Sequence, residues 1–331
     1  MKKGLSFILL CLLLVLAACS EGEGSGTEAG EKVEIRIGSH LAADHSVVKT
    51  AEKFKELVEE ESDGRITVAI HPNGELGDQK ELVENLQLGA IEMTINDAGL
   101  LANFVPEVGL LDMPYLFTDY DHVHKTFDSE VGTALQEKMQ EKGIRSLAWF
   151  DSAFRNTFLN EKAETLDDLN GVKIRTPEAP SVIETFSSWG AVATPLPWGE
   201  LYTAMETGIV SGFEGSAESI YSAKMYEVSD YLLKTEHIFT ALSLNISDTF
   251  YNGLSSEDQK IVSEAALEAG QFGRQMAMDL DEDYFNKLQE EGLEVIEVDK
   301  APFVEAASKI ADDYAKTVNA EDLVQQIRDL K

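Results

Sequence analysis

The sequence predicts an α/β fold of two domains held together by one long helix. Three observations carry that reading. From residue 33 onward, short β-type runs alternate with segments of helical period, the pattern of a parallel sheet covered by helices. The chain has 331 residues, enough for about two domains, and 44 % of them are hydrophobic, enough to bury real cores. Residues 255–290 then keep helical period over a length of roughly 50 Å at 1.5 Å per residue, more than one domain requires.

The elements follow in order. Residues 33–37 form a β-type run. Over 46–61, Val47, Ala51, Phe54, Leu57 and Val58 recur at helical spacing, and Asp63-Gly64 stops the helix. Residues 65–71 read as a strand, with a turn at Pro72-Asn73-Gly74 and Gly77. Residues 78–88 are helical, closed by Gly89, and 91–95 are a strand, so the opening is βαβαβ. Further along, 120–142 read as one helix, and 144–150 and 155–159 as two strands. Strands at 172–175, 191–194 and 209–213 alternate with helices at 179–189 and 198–206, and helical turns follow over 215–226. Residues 231–234 and 239–247 are strand-like.

The long segment places Ile261, Ala265, Ala269, Phe272, Met276, Leu280, Tyr284 and Leu288 on one face. Ser256 with Gln259 fits a capping box, and Gly292 ends the helix. A break into two helices near Gly270 or Gly273 is the alternative. Residues 295–298 are extended, and 303–316 and 320–330 are helical.

The N-terminus reads as an export signal over residues 1–18. Lys2 and Lys3 precede an apolar run, residues 5–16, that is too short to span a bilayer comfortably and fits the core of a signal peptide. Leu16-Ala17-Ala18-Cys19 resembles a bacterial lipobox, in which Cys19 is lipidated; a plain signal peptide or an uncleaved anchor is the alternative. Two acyl chains supply the two anchoring signals that stable membrane attachment needs. Cys11 and Cys19 are the only cysteines, so no disulfide is expected after cleavage. Residues 19–32, rich in Gly, Ser and Glu, read as a flexible tether.

Charge excludes whole classes of partner. The chain carries 27 basic and 60 acidic residues, a formal net charge of −33. Cleavage after residue 18 removes Lys2 and Lys3 and no acid, leaving 25 against 60, or −35. Nucleic acid and anionic membrane surfaces need clustered Lys and Arg, which this chain lacks. The same excess is a poor lure for an anion. At a Debye length of about 8 Å distant acids are largely screened, so capture of an anion has to rest on a local arginine. The acidic excess is read as an adaptation of an exposed surface to salt or alkali.

Catalytic and cofactor signatures are missing. There is no P-loop, nucleophile elbow, H-E-x-x-H or paired-Cys motif, and no cofactor or metal is expected. His122 and His124, two apart on a helix, cannot face one metal together and read as surface histidines. Arginine is what stands out. Arg175 ends a strand and precedes Thr176-Pro177, the position from which an open α/β sheet presents side chains to a ligand. Arg155 begins another extended segment. Each is either a bidentate fork for a ligand carboxylate or a surface ion pair among excess acids.

Several motifs in order then resemble the solute-binding proteins of TRAP (tripartite ATP-independent periplasmic) transporters, the family of dicarboxylate and sialic-acid receptors. They are Gly38-Ser39-His40, His71-Pro72-Asn73-Gly74-Glu75-Leu76-Gly77, the stretches 86–93 and 111–117, Gly171-Val172-Lys173-Ile174-Arg175-Thr176-Pro177, and the stretches 194–202 and 205–214. The resemblance covers residues 33–331. It implies a two-domain periplasmic-binding-protein-like α/β fold with crossing strands. Domain I would be 33–152 plus 241–280, domain II 153–240 plus 281–331, and the long helix would span both.

The resemblance further implies that Arg175 takes the ligand carboxylate, that Arg155 is the second arginine, and that His40, Asn96, Asp97, Glu178, Trp198, Glu214, Gly215 and His237 are pocket positions. Trp198 would wall the ligand, with a core role as the alternative. Glu214 would hold one of the arginines or touch the ligand, while Tyr115 and Phe117 belong to the core. Where many relatives have Gln-Glu-Asn, this chain has Phe213-Glu214-Gly215, which removes a donor and opens space. Asp97 and Glu178 would repel a second ligand carboxylate, which favours a hydroxylated or cyclic monocarboxylate over a dicarboxylate. The expected partners are a small organic acid and the membrane subunits of a TRAP transporter. A ligand sensor for a signalling partner and an enzyme remain as alternatives, the latter without a nucleophile–base pair.

Overall fold

Two long antiparallel strands run through the whole molecule and carry both lobes. In the computed structural model, which describes residues 32–331, these are β4 (Ile144–Leu159) and β8 (Tyr231–Ser247). The expectations for the export signal, Cys19 and most of the tether lie outside the described residues. The remaining strands are β1 (Val33–Gly38), β2 (Ile66–His71), β3 (Met93–Asp97), β5 (Lys173–Thr176), β6 (Val192–Pro195), β7 (Gly212–Gly215) and β9 (Glu294–Ile296). They form one nine-stranded sheet in the order β2-β1-β3-β8-β4-β7-β5-β6, with β9 added beside β8.

The order explains the lobes. In one lobe β1 pairs parallel with β2 and β3, and β3 joins β8 antiparallel at residues 242–246. In the other, β5 pairs parallel with β6 and β7, β7 joins β4 antiparallel, and β9 joins β8 at 231–233. The β4–β8 ladder shifts register between Asp151 and Phe154, where the sheet crosses from one lobe to the other. Both strands were expected as separate pieces. The links Ser152-Ala153 and Thr235-Glu236-His237 interrupt the ladder and carry its register shifts, yet each strand runs on through them.

Four apolar cores cover the two faces of the two lobes. Leu82, Leu101, Val108, Leu135 and Ile327 belong to one core of the first lobe, and Ile35, Phe54, Leu244 and Ala269 to the other. In the second lobe Phe186, Trp189 and Phe303 pack on one side, and Phe158, Phe213, Ile220 and Leu288 on the other.

The long helix Ser256–Glu290 is continuous and supplies both lobes, Val262, Ala265, Ala266 and Ala269 to the first and Leu288 to the second. Its glycines mark close approach, not a break. A Cβ on Gly273 would stand 2.6 Å from Thr50 Oγ1 and 3.0 Å from Phe150 Cδ2, and one on Gly270 would stand 3.0 Å from Ala148 Cβ. The expected apolar face holds at Ala265, Ala269 and Leu288 and is corrected elsewhere by this packing. The buried stripe runs through the small residues Ala265, Ala266, Ala269, Gly270, Gly273 and Ala277, and Phe272 is exposed. The N-cap is also one residue earlier than expected: Ser255 Oγ accepts from the Asp258 amide.

Other boundaries move for local reasons. The helix expected over 120–142 is two, Tyr120–Phe127 and Glu130–Gln140, because Ser129 caps the second by accepting from the Val131 amide. The helix expected over 303–316 is likewise two, Lys300–Ala307 and Ile310–Thr317. His122 is not a surface histidine. It is buried, and its Nε2 lies 2.6 Å from the Ile327 carbonyl oxygen.

Candidate ligand-binding cleft

The cleft lies where the lobes face one another across the crossing strands. Helix Ser46–Glu61 meets helix Ala217–Ser222 on one flank: Glu218 accepts from the Ser46 amide at 2.7 Å, and His45 Nε2 lies 2.9 Å from Ser219 Oγ. On another flank Asn103 donates to the Glu178 carbonyl oxygen at 2.7 Å, and Ser181 donates to Asp112. Between these contacts is a cavity with an empty volume of about 690 Å³, part of it open to solvent.

Arg175 reaches the cavity from the carboxyl end of β5, and Arg155 from β4. Their environments differ sharply. Arg155 is held in a two-pronged ion pair, its Nε and Nη2 donating to the two carboxylate oxygens of Glu214, the latter bond at 2.6 Å, while Nη1 donates to Thr240 Oγ1 at 3.3 Å. Burial disfavours the Arg155 charge, but Glu214 outweighs it and the guanidinium is held above its ordinary pKa. Burial would likewise push Glu214 up; the charge and hydrogen bonds of Arg155 reverse this and depress it to about 2.

Arg175 is the more deeply buried of the two, with 2 % of its surface exposed. Its one side-chain hydrogen bond among the described residues is from Nε to the Leu196 carbonyl oxygen at 2.9 Å, and it makes no ion pair there. Its Cζ lies 5.6 Å from the centre of the Trp198 ring, which fixes one face of the guanidinium. Burial lowers its pKa to about 10, only partly offset by Glu214 and added to by Arg155. It stays protonated at neutral pH. A buried fork with its terminal nitrogens unpaired among the described residues has the geometry to accept an anion with two coplanar oxygens.

The other expected pocket residues divide into two sets. His40, Asp97, Glu178, Trp198 and Gly215 line the cavity with the two arginines. Asn96, Glu214 and His237 do not line it; all three are fully buried. Asn96 Oδ1 accepts from Thr94 and Asn245, and Nδ2 donates to the Gln79 carbonyl oxygen. His237 stands behind Glu214, Nε2 to Oε2 at 3.4 Å, and burial holds its pKa down. These three support the wall instead of forming it.

Gly215 corrects one expectation. A Cβ there would stand 3.1 Å from Ile220 Cδ1, so the space left by the missing side chain lies toward the core and is already taken. Tyr115 and Phe117 pack in the apolar cores and do not line the cavity. Lining residues that the sequence reading passed over are Gln79, Lys80, Ser152, Ser216, Ser219 and Thr240. Only Gln79 carried a usable signal, since it directly follows the helix-capping Asp78 after Gly77.

Residues 37–317 match the model of the bacterial extracellular solute-binding protein family 7, DctP. The chain is a TRAP-transporter solute-binding protein of that family. This TRAP receptor is 31 % identical to the 2,3-diketo-L-gulonate-binding periplasmic protein of Escherichia coli K12, over 90 % of its own length and 92 % of that protein's. Among solved structures, a TRAP periplasmic solute-binding protein from Bordetella bronchispeptica, with density assigned to pantoate, matches with a TM-score of 0.87. It is 33 % identical over 91 % of this chain and 100 % of its own. One from Sulfitobacter sp. NAS-14.1 with bound α-D-taluronate matches with a TM-score of 0.86, 34 % identical over 90 % of this chain and 98 % of its own. The receptor thus has the two-lobed α/β fold of the periplasmic binding proteins. Among the described residues no helix is long and apolar enough to cross a membrane.

Proposed function

We propose that this TRAP receptor captures a small hydroxylated monocarboxylate outside the cytoplasm, seats its carboxylate on Arg175, and passes it to membrane permease subunits. The observation that carries the proposal is the contrast at the cleft floor: Arg155 is neutralised by Glu214, while the Arg175 guanidinium is buried without an ionic partner. A ligand carboxylate completes that pair. Shutting the lobes around it lowers the local dielectric and strengthens the pair, so closure is favoured for an anion and disfavoured without one. One similar protein is named for 2,3-diketo-L-gulonate, and two similar structures hold density assigned to pantoate and bound α-D-taluronate, each an acid with one carboxylate and further oxygens. That chemistry suits a cavity that also contains Asp97 and Glu178.

No reaction is proposed, and a bound acid should be recovered chemically unchanged. Cys19 is proposed as the lipid anchor, which a Cys19→Ser chain released into the medium would support. The deciding experiment is calorimetry of the mature protein against pantoate, aldonates, uronates and C4-dicarboxylates. A hydroxylated monocarboxylate should bind in the micromolar range, about −8 kcal/mol. Arg175→Ala should abolish most of that affinity while the protein remains folded; an unchanged affinity overturns the assignment of the carboxylate seat.

A further inference from the structure

Gln79 makes contacts that fix the chemistry of two lining residues at once. It is the first residue of helix Gln79–Gln87, and its backbone is set by a capping box between Asp78 and Glu81. Its Oε1 accepts from the Asp97 amide at 3.1 Å, so the orientation of its side-chain amide is determined by a donor that cannot be reversed. Its Nε2 therefore donates, to Asp97 Oδ2 at 2.9 Å and toward His40 Nε2 at 3.2 Å. Asp97 occupies the N-cap of the short helix Ala98–Leu101, yet its side chain makes no cap bond there; its amide and Oδ2 are both engaged by Gln79.

Two consequences follow for the cavity. His40 Nε2 faces a donor and must accept, so the ring proton sits on Nδ1. Burial holds the ring pKa down to about 4, against an opposing pull from Asp97, and the ring is neutral at pH 7. Nδ1 is buried and has no hydrogen-bond partner among the described residues. Asp97 keeps its second oxygen, Oδ1, outside the Gln79 contact. Both residues line the cavity that also contains Arg175.

We propose that Gln79 is a positioning residue that makes His40 and Asp97 a reader for ligand hydroxyl groups, and so sets the preference for a hydroxylated monocarboxylate over a dicarboxylate. A hydroxyl both donates and accepts, so it satisfies Asp97 Oδ1 and His40 Nδ1–H together, directly or through one held water. A second carboxylate can only accept. It leaves Asp97 without a donor and sets two negative charges against each other. Sites that hydrogen-bond a ligand hydroxyl discriminate strongly against analogues without it, because the site's own polar groups are then stranded.

This inference rests on the Arg175 reading, and its test separates the two. Nitrogen-15 NMR of the histidine rings reads the tautomer in the wild-type protein. His40 is expected as the neutral Nδ1–H form at pH 7; an Nε2–H form overturns the proposal. Calorimetry then compares pantoate with its deoxy analogue 3,3-dimethylbutyrate and with succinate, in wild type and in Gln79→Leu. Wild type should prefer pantoate to both. Gln79→Leu should lose about tenfold or more in pantoate affinity while 3,3-dimethylbutyrate binding is unchanged, so that the ratio between them collapses. Equal losses for both acids, or an intact ratio, overturn the positioning role, as does a wild-type preference for succinate. Binding that depends on Arg175 but ignores Gln79 sinks only this inference. Wild-type protein that binds no carboxylate at all sinks the carboxylate seat itself.

Discussion

The two arginines of the cleft are both largely buried and differ in what faces them. Arg155 has Glu214, and each partner shifts toward its charged form, Arg155 upward and Glu214 down to about 2. Arg175 has a backbone carbonyl and a tryptophan face, and it shifts toward its neutral form. A third buried charge follows the same rule. Asp112, partnered by the Ser181 hydroxyl alone, is pushed up to about 7 by burial, which the serine bond and Arg155 only partly oppose. Burial on its own therefore says little about function. An ionic partner makes a buried charge structural, and the lack of one leaves it available to a ligand or inclined to protonate.

The sharpest way to break this comparison is to unpartner Arg155. Glu214→Ala should cost about 3–5 kcal/mol of folding free energy, because it strands a buried guanidinium. Arg175→Ala should lose little stability, since it removes a charge that protein does not neutralise. Urea denaturation of both variants checks this; similar midpoints would erase the distinction. Next in size is the geometry of the seat. Arg175→Lys keeps the charge and loses the fork, and should weaken pantoate binding by about tenfold, 1.4 kcal/mol. Calorimetry showing full affinity would mean that charge alone is read there.

Asp112 gives a pH test. Its folded pKa is raised, to about 7 from 3.8, so the folded state binds a proton more tightly than the unfolded chain. The stability it contributes is fully present below about 3.8 and is lost as pH rises through about 7. Asp112→Asn should remove that loss. Its melting temperature relative to wild type should therefore climb between pH 5 and pH 8, and a difference that stays flat across that range refutes the reading.

Much of the architecture was legible because it rests on local pattern. The βαβαβ opening, the long helix and the strand-end position of Arg175 each follow from periodicity and punctuation. What the sequence hid was non-local. The family resemblance left Glu214 to hold either arginine or touch the ligand, and nothing near residue 155 chooses the pair that forms across 59 residues. The burial of His122 depends on the C-terminal helix Glu321–Asp329, and the role of Gln79 depends on β3. The face of the long helix was right at Ala265, Ala269 and Leu288 and wrong at Phe272, which is exposed because the neighbouring contacts at Gly270 and Gly273 are too close for large side chains.

The smallest expected effect concerns Gly215. Residues along β7 alternate between faces, so Glu214 turns toward Arg155 while a side chain at 215 would turn toward Ile220. A Cβ there is tight against one flexible methyl, 3.1 Å from Ile220 Cδ1, and backbone strain is not at issue. Gly215→Ala should therefore cost about 1 kcal/mol or less and leave ligand affinity unchanged, since the added methyl enters the core and not the cavity. Thermal melts and calorimetry on the same sample check both halves. A large affinity loss without a change in stability would mean that a side chain at this lining position enters the cavity beside Arg175.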